Sequence, residues 1–119
     1  MKSIFRALAL SLVCTLLLAC ATTNPQNDLT RIDVGSDNLV WIDVRSDEEY
    51  QEQHFEGAIN IEYTEILEGV ANLDKDTEIL LYCGSGRRAG IALEALQAQG
   101  FTNVTNRGGL VDVLEQQTN

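Results

Sequence analysis

Two apolar runs constrain this chain most: LVWIDV, Leu39–Val44, and EILLYC, Glu78–Cys83. Each reads as a compact strand. A helical pattern follows each. Ser46 stands as an N-cap with Glu49 three residues on, a capping box, and Asp47, Glu48 and Glu49 suit the positive end of a helix. GAINI, Gly57–Ile61, reads as a short strand, residues 64–72 as a second helix and 72–77 as a turn. Residues 88–99 read as a helix with apolar Ala89, Ile91, Ala92, Ala95 and Leu96, closed by Gly100. NVTN, 103–106, is a last short strand and 109–116 a last helix. The alternation predicts an α/β domain: a small parallel sheet flanked by helices on both faces. No internal repeat is visible.

Residues 1–19 fall outside that pattern. Lys2 and Arg6 precede an uncharged, mostly apolar run from Ala7 to Ala19. This fits the apolar region of a secretory signal and is too short to span a membrane. The chain then divides into a signal peptide of lipoprotein type over 1–19, a lipidated cysteine and tether over 20–30, and one domain over 31–119. LLAC, Leu17–Cys20, resembles a bacterial lipobox. That implies acyl chains on Cys20 and a membrane anchor, since each buried methylene contributes about 0.8 kcal/mol. The expected place is a bacterial cell envelope, facing the periplasm. Ala21 favours the outer membrane under the sorting habit of such proteins. The alternative is cleavage after Ala19 and a soluble periplasmic protein.

Of three cysteines, Cys14 leaves with the signal and Cys20 carries lipid, so Cys83 remains as the free thiol. Exported proteins usually pair their cysteines, which makes a single one notable. Without Lys2 and Arg6, six basic residues face eighteen acidic ones, a net charge of −12. Such a surface argues against nucleic acid and against anionic membranes as partners of the protein surface itself. It also repels small anions, so a site that handles one needs its own local positive charge.

The stretch LYCGSGRRAG, Leu81–Gly90, supplies that charge. Cys83 ends a strand, where ligands gather in open α/β sheets. Gly84, Ser85 and Gly86 permit a tight loop whose N–H groups point inward, and the next helix adds its positive N-terminus. Arg87 and Arg88 add full charges. Together these stabilise a thiolate and hold an anion against it.

IDVRSDEEYQEQHFEGAINI, followed by LYCGSGRRAGIALEALQAQGFTNVTNRGGL, resembles a single-domain rhodanese, a sulfurtransferase, over residues 39–114. The small periplasmic phage-shock type is the subgroup it is most similar to. The family loop Cys-x-x-Gly-x-Arg falls on Cys83, Gly86 and Arg88. Glu62 departs from a usual proline, and Val113 from a usual tryptophan nearby. The resemblance implies that Cys83 takes a sulfane sulfur from thiosulfate or a similar donor and passes it, as a persulfide, to a thiol or to cyanide. Backbone N–H groups of Gly84 to Arg88 would hold that persulfide. No metal and no organic cofactor is implied. One rival is a sulfur-carrier or sensing module with little turnover. Another is a cysteine phosphatase or arsenate reductase. The tyrosine-phosphatase loop, Cys-x5-Arg, needs an arginine at residue 89, which is alanine.

The remaining residues have plainer expectations. His54 is structural rather than a partner of the cysteine. Asp43 and Arg45 anchor loops by an ion pair. Arg88 is the more structural arginine, paired with Asp43 or Glu49, and Arg87 the more exposed. Arg107 is loop surface, and Trp41 packs in the core.

Overall fold

The computed structural model describes residues 32–118. The expected signal peptide, Cys20 and the tether up to residue 30 lie outside them. The chain runs β1 (Leu39–Asp43), α1 (Asp47–Glu52), β2 (Ile59–Asn60), a 3₁₀ turn (Tyr63–Glu65), α2 (Ile66–Gly69), β3 (Glu78–Cys83), α3 (Arg87–Ala98), β4 (Val104–Gly109) and α4 (Leu110–Gln117). The strands form one sheet in the order β2-β1-β3-β4, and every pair is parallel.

Both apolar runs lie in the middle of the sheet, which is why they lack a polar face. Val40, Ile42, Ile79, Leu81 and Cys83 point to one side and pack with Ile66 of α2, Val70 just after it, and Ala89, Ala92 and Leu96 of α3. Tyr82 points to the other side and packs with Phe55, Ala58, Leu110 and Val113. The two-faced cover expected from the alternation is therefore present. Fully burying a large apolar side chain contributes about 1.5–3 kcal/mol, so β3 is the strand the core can least do without. Val113 fills a buried place in the second cluster. Trp41 joins that cluster half-buried, its ring 4.3 Å from that of Phe55.

Three expectations need correction. The helix expected over 64–72 is a 3₁₀ turn followed by four helical residues. A Cβ on Gly69 would lie 2.7 Å from the Ile61 side chain, so the segment turns where the chain closes onto β2. The last strand is longer than NVTN. It continues through Arg107 to Gly109, because pairing with β3 supplies the order that its polar, glycine-rich sequence does not advertise. The main helix starts at Arg87, one residue early, with Gly86 as its N-cap. Among the described residues no helix is long and apolar enough to cross a membrane.

The strand order places the site. From β1 the chain moves outward to β2, then crosses back past β1 to β3. The crevice at the carboxyl ends of β1 and β3 is thus a topological switch point, where open α/β sheets bind ligands. The first turns of α1 and α3 meet there.

Candidate active site

Cys83 is the last residue of β3 and is 1% exposed. The following loop residues Gly84 and Ser85 are exposed, so the thiol sits at the floor of an open loop. Gly86 has φ of +94°, a left-handed geometry that glycine adopts without strain. That turn brings the Gly86 N–H to 3.0 Å from Cys83 Sγ. Burial pushes the thiol up, but the backbone N–H groups of Ala89, Ser85, Gly86 and Arg88 favour the charged sulfur and outweigh it. The net effect is a thiol held below its ordinary range. Ala89, one residue beyond the expected Gly84 to Arg88 cradle, also favours the thiolate through its backbone N–H. Any residue type supplies a main-chain N–H, so no side-chain signal pointed to Ala89.

The arginines divide as expected. Arg88 Nη1 donates to Glu49 Oε2 at 2.8 Å and Nη2 to Oε1 at 3.1 Å. Its guanidinium folds over Gly84, 3.1 Å from where a Cβ would stand, and its charge and the Cys83 thiolate favour one another. The charge on Glu49 holds Arg88 protonated above its ordinary value, and Arg88 in turn holds Glu49 down at about 2. Glu49 still closes the capping box: Ser46 N donates to Oε2 at 3.1 Å, and Glu49 N donates to Ser46 Oγ at 3.3 Å. Arg87 is exposed and forms no ion pair among the described residues.

Asp43 and Arg45 form a buried pair beside the crevice. Arg45 Nη2 donates to Asp43 Oδ2 at 2.7 Å and to Gln53 O at 2.6 Å. The Tyr82 hydroxyl accepts from Phe55 N at 3.0 Å, and burial pushes that phenol far up. These groups tie β1, β3 and the end of α1 together. His54 is exposed and stacks on Tyr50 at 3.8 Å, with Nδ1 2.8 Å from Tyr50 O. Its contacts are therefore structural, away from the sulfur. Arg107 is corrected from loop surface to a half-buried strand residue over the Trp41 ring, 5.6 Å from its centroid. A separate groove of about 650 Å³ lies along β2, lined by Ile59, Ile61, Glu62 and Glu65 among others, and holds none of the loop residues.

A rhodanese-like domain model matches residues 27–116. The chain belongs to the rhodanese-like family. It is 47% identical over 75 residues to the thiosulfate sulfurtransferase PspE of Escherichia coli, covering 61% of this chain and 72% of that protein. A putative sulfurtransferase of Bacillus subtilis, YtwF, is 39% identical over 75 residues, covering 63% of this chain and 73% of its own. The solved structure of a rhodanese with anions from E. coli is 45% identical with a TM-score of 0.58, over 62% of this chain and 89% of that one. Sulfurtransferase activity, the reading drawn from the rhodanese signatures, is the activity for which these relatives are named.

Proposed function

We propose that this protein is a sulfurtransferase that carries a sulfane sulfur from thiosulfate, or a similar anionic donor, to a thiophilic acceptor through a persulfide on Cys83. The observation that carries the reading is the buried sulfur at the start of α3, met by the Gly86 N–H at 3.0 Å, with the backbone N–H groups of Ser85, Arg88 and Ala89 also favouring its thiolate. The same donors that favour a thiolate suit a persulfide anion in its place.

The chemistry balances in two displacements. Cys83 thiolate attacks the outer sulfur of thiosulfate. A sulfur–sulfur bond forms to Cys83 as the bond to the sulfonate sulfur breaks, and that electron pair leaves on sulfite. An acceptor thiolate or cyanide then attacks the terminal sulfur. The Cys83–sulfur bond breaks and returns the thiolate. Arg88, held by Glu49, fixes one positive charge at the sulfur, and Arg87 adds an exposed one at the entrance. Gly84, Ser85 and Gly86 leave room for the donor because they are small. In vivo the acceptor is a thiol.

The export reading belongs to the same proposal. Residues 1–19 serve as a lipoprotein-type signal, Cys20 carries the lipid, residues 21–30 form the tether, and the domain from residue 31 works on the periplasmic side of a bacterial envelope membrane. Metabolic labelling with a radioactive fatty acid tests it: label on the wild type and none on Cys20→Ser supports the anchor, and unlabelled wild-type protein overturns it.

The enzymatic reading is tested by thiosulfate:cyanide sulfurtransfer with the protein starting at Ala21, beside Cys83→Ser. Thiocyanate formed by the wild type and absent from the variant is expected. A folded wild type that forms neither thiocyanate nor a Cys83 persulfide detectable by mass spectrometry overturns the proposal.

A further inference from the structure

We propose that Asn106 is a positioning residue for Cys83, clamping the turn that aims the Gly86 N–H at the sulfur. This rests on the reading of Cys83 as the nucleophile. Asn106 pairs in register with Leu81, and Val104, two residues back, pairs with Ile79. Alternation along a strand puts Asn106 on the same face as those apolar residues, beneath the start of α3. A polar amide in a half-buried, otherwise apolar row is unfavourable unless both its ends are bonded.

Both ends are bonded, and the partners dictate the amide's orientation. Asn106 Nδ2 donates to Gly86 O at 2.9 Å. Asn106 Oδ1 accepts from Gly108 N at 2.9 Å. A carbonyl only accepts and a backbone N–H only donates, so the reverse orientation would lose both bonds. Gly86 O also accepts Gly90 N at 3.0 Å, the first bond of α3. The carbonyl of Gly86 is therefore held from β4 and from the helix at once. Only the two soft dihedrals of Gly86 separate that carbonyl from the N–H that meets Cys83 Sγ at 3.0 Å.

The local sheet is built to allow this. Leu81 pairs with Asn106 and Cys83 with Gly109, so Arg107 and Gly108 together stand opposite Tyr82, a bulge in β4. Gly108 takes φ of +92° there, and a Cβ on Gly86 would lie 3.3 Å from Gly108 Cα. The bulge lets β4 come close enough for one short amide to bridge it to the loop.

The test reads the thiol directly and needs no turnover. The rate of Cys83 alkylation by iodoacetamide is measured against pH for the protein starting at Ala21 and for Asn106→Ala, with exchange of the Gly86 amide followed by NMR. Asn106→Ala is expected to lose Gly86 protection and to move the profile upward, with about tenfold less thiolate near neutral pH, the effect of losing one bond to a charged acceptor. A profile unmoved within about twofold, with Gly86 still protected, overturns the proposal even if melting falls, since that is a structural role alone. Should Asn106→Ala not fold, Asn106→Asp decides. It keeps the acceptor for Gly108 and loses the donor to Gly86. It is read in about 1 M salt, where screening over about 3 Å suppresses its added charge. An unmoved profile in that variant overturns the proposal equally. Failure of sulfur transfer in the wild type would instead strike the activity reading and leave the alkylation result standing.

Discussion

Arg88 and Glu49 lie 39 positions apart in sequence and meet through two hydrogen bonds of 2.8 and 3.1 Å. The two bonds join the first turn of α1 to the first turn of α3, so the pair closes the crevice at the switch point. Their side chains are 29% and 37% exposed, which screens the pair and sets its contribution at about 1 kcal/mol.

Glu49→Gln isolates that contribution, because glutamine still completes a capping box with Ser46. The Glu49 carboxyl is lowered from 4.5 to about 2, chiefly by its bonds to Arg88. A lowered carboxyl stabilises the fold fully above its unfolded value, and the benefit is lost as pH falls through the folded one. Melting at pH 7 should drop by about 4–8 °C in the variant. The difference between the two proteins should narrow between pH 4.5 and 2. An equal gap at both ends of that window would mean that the charge on Glu49 contributes nothing.

Gly109 and Gly90 flank the site and should respond to alanine with opposite signs. A Cβ on Gly109 would lie 2.4 Å from Gly84 O, a backbone atom of the loop itself. The loop must shift, so Gly109→Ala should destabilise by about 1–3 kcal/mol and slow alkylation of Cys83. A Cβ on Gly90 meets Asn106 Nδ2 at an ordinary 3.6 Å within α3. Gly90→Ala should then stabilise by up to about 1 kcal/mol through helix propensity. Urea unfolding of both variants checks the pair of signs, and a shared sign would refute the packing argument.

Asp43 is fully buried and its partner Arg45 nearly so. Asp43 accepts from Arg45 N as well as from its guanidinium. Asp43→Asn leaves a cation buried without its counter-charge, at a penalty of about 3–5 kcal/mol. The urea midpoint should fall steeply while the slope stays constant. A change below about 1 kcal/mol would show that Gln53 O and the Tyr82 ring suffice to hold Arg45.

What could be read from the residues alone follows from range. The Ser46–Glu49 capping box is set by neighbours three apart, and β3 by an unbroken apolar run, so both were legible. The Cys83 loop was legible because small residues and charge stand next to each other in sequence. The far end of β4 was not: Arg107 to Gly109 are ordered by pairing with β3 and by the Asn106 amide, beyond the NVTN segment that was expected. Arg107 was misplaced for the same reason, since the Trp41 ring beneath it comes from another part of the chain. The short α2 reflects contact between Gly69 and Ile61, which no helical periodicity reports. Ala89 acts through its backbone N–H, which carries no sequence signature, and Asn106 through an amide whose partners are backbone groups of other segments.

Arg87 tests the anion side of the mechanism. It is exposed at the first position of α3 and forms no ion pair among the described residues, so folding does not depend on it. The protein as a whole is acidic, with a formal net charge of −10, and a dianion approaching the loop meets that field first. Arg87→Ala should therefore raise KM for thiosulfate by up to about fivefold, the scale of an exposed charge contact, with kcat and melting temperature unchanged. The effect should fade between about 0.1 M and 1 M salt, as the screening length falls from about 10 Å to about 3 Å. Arg88→Ala should behave differently, lowering stability and thiol reactivity together, because Glu49 and the Cys83 sulfur both depend on it. Steady-state kinetics at the two salt concentrations separate the arginines. An unchanged KM for Arg87→Ala at low salt would remove that residue from donor recognition and leave the task to Arg88 and the loop N–H groups.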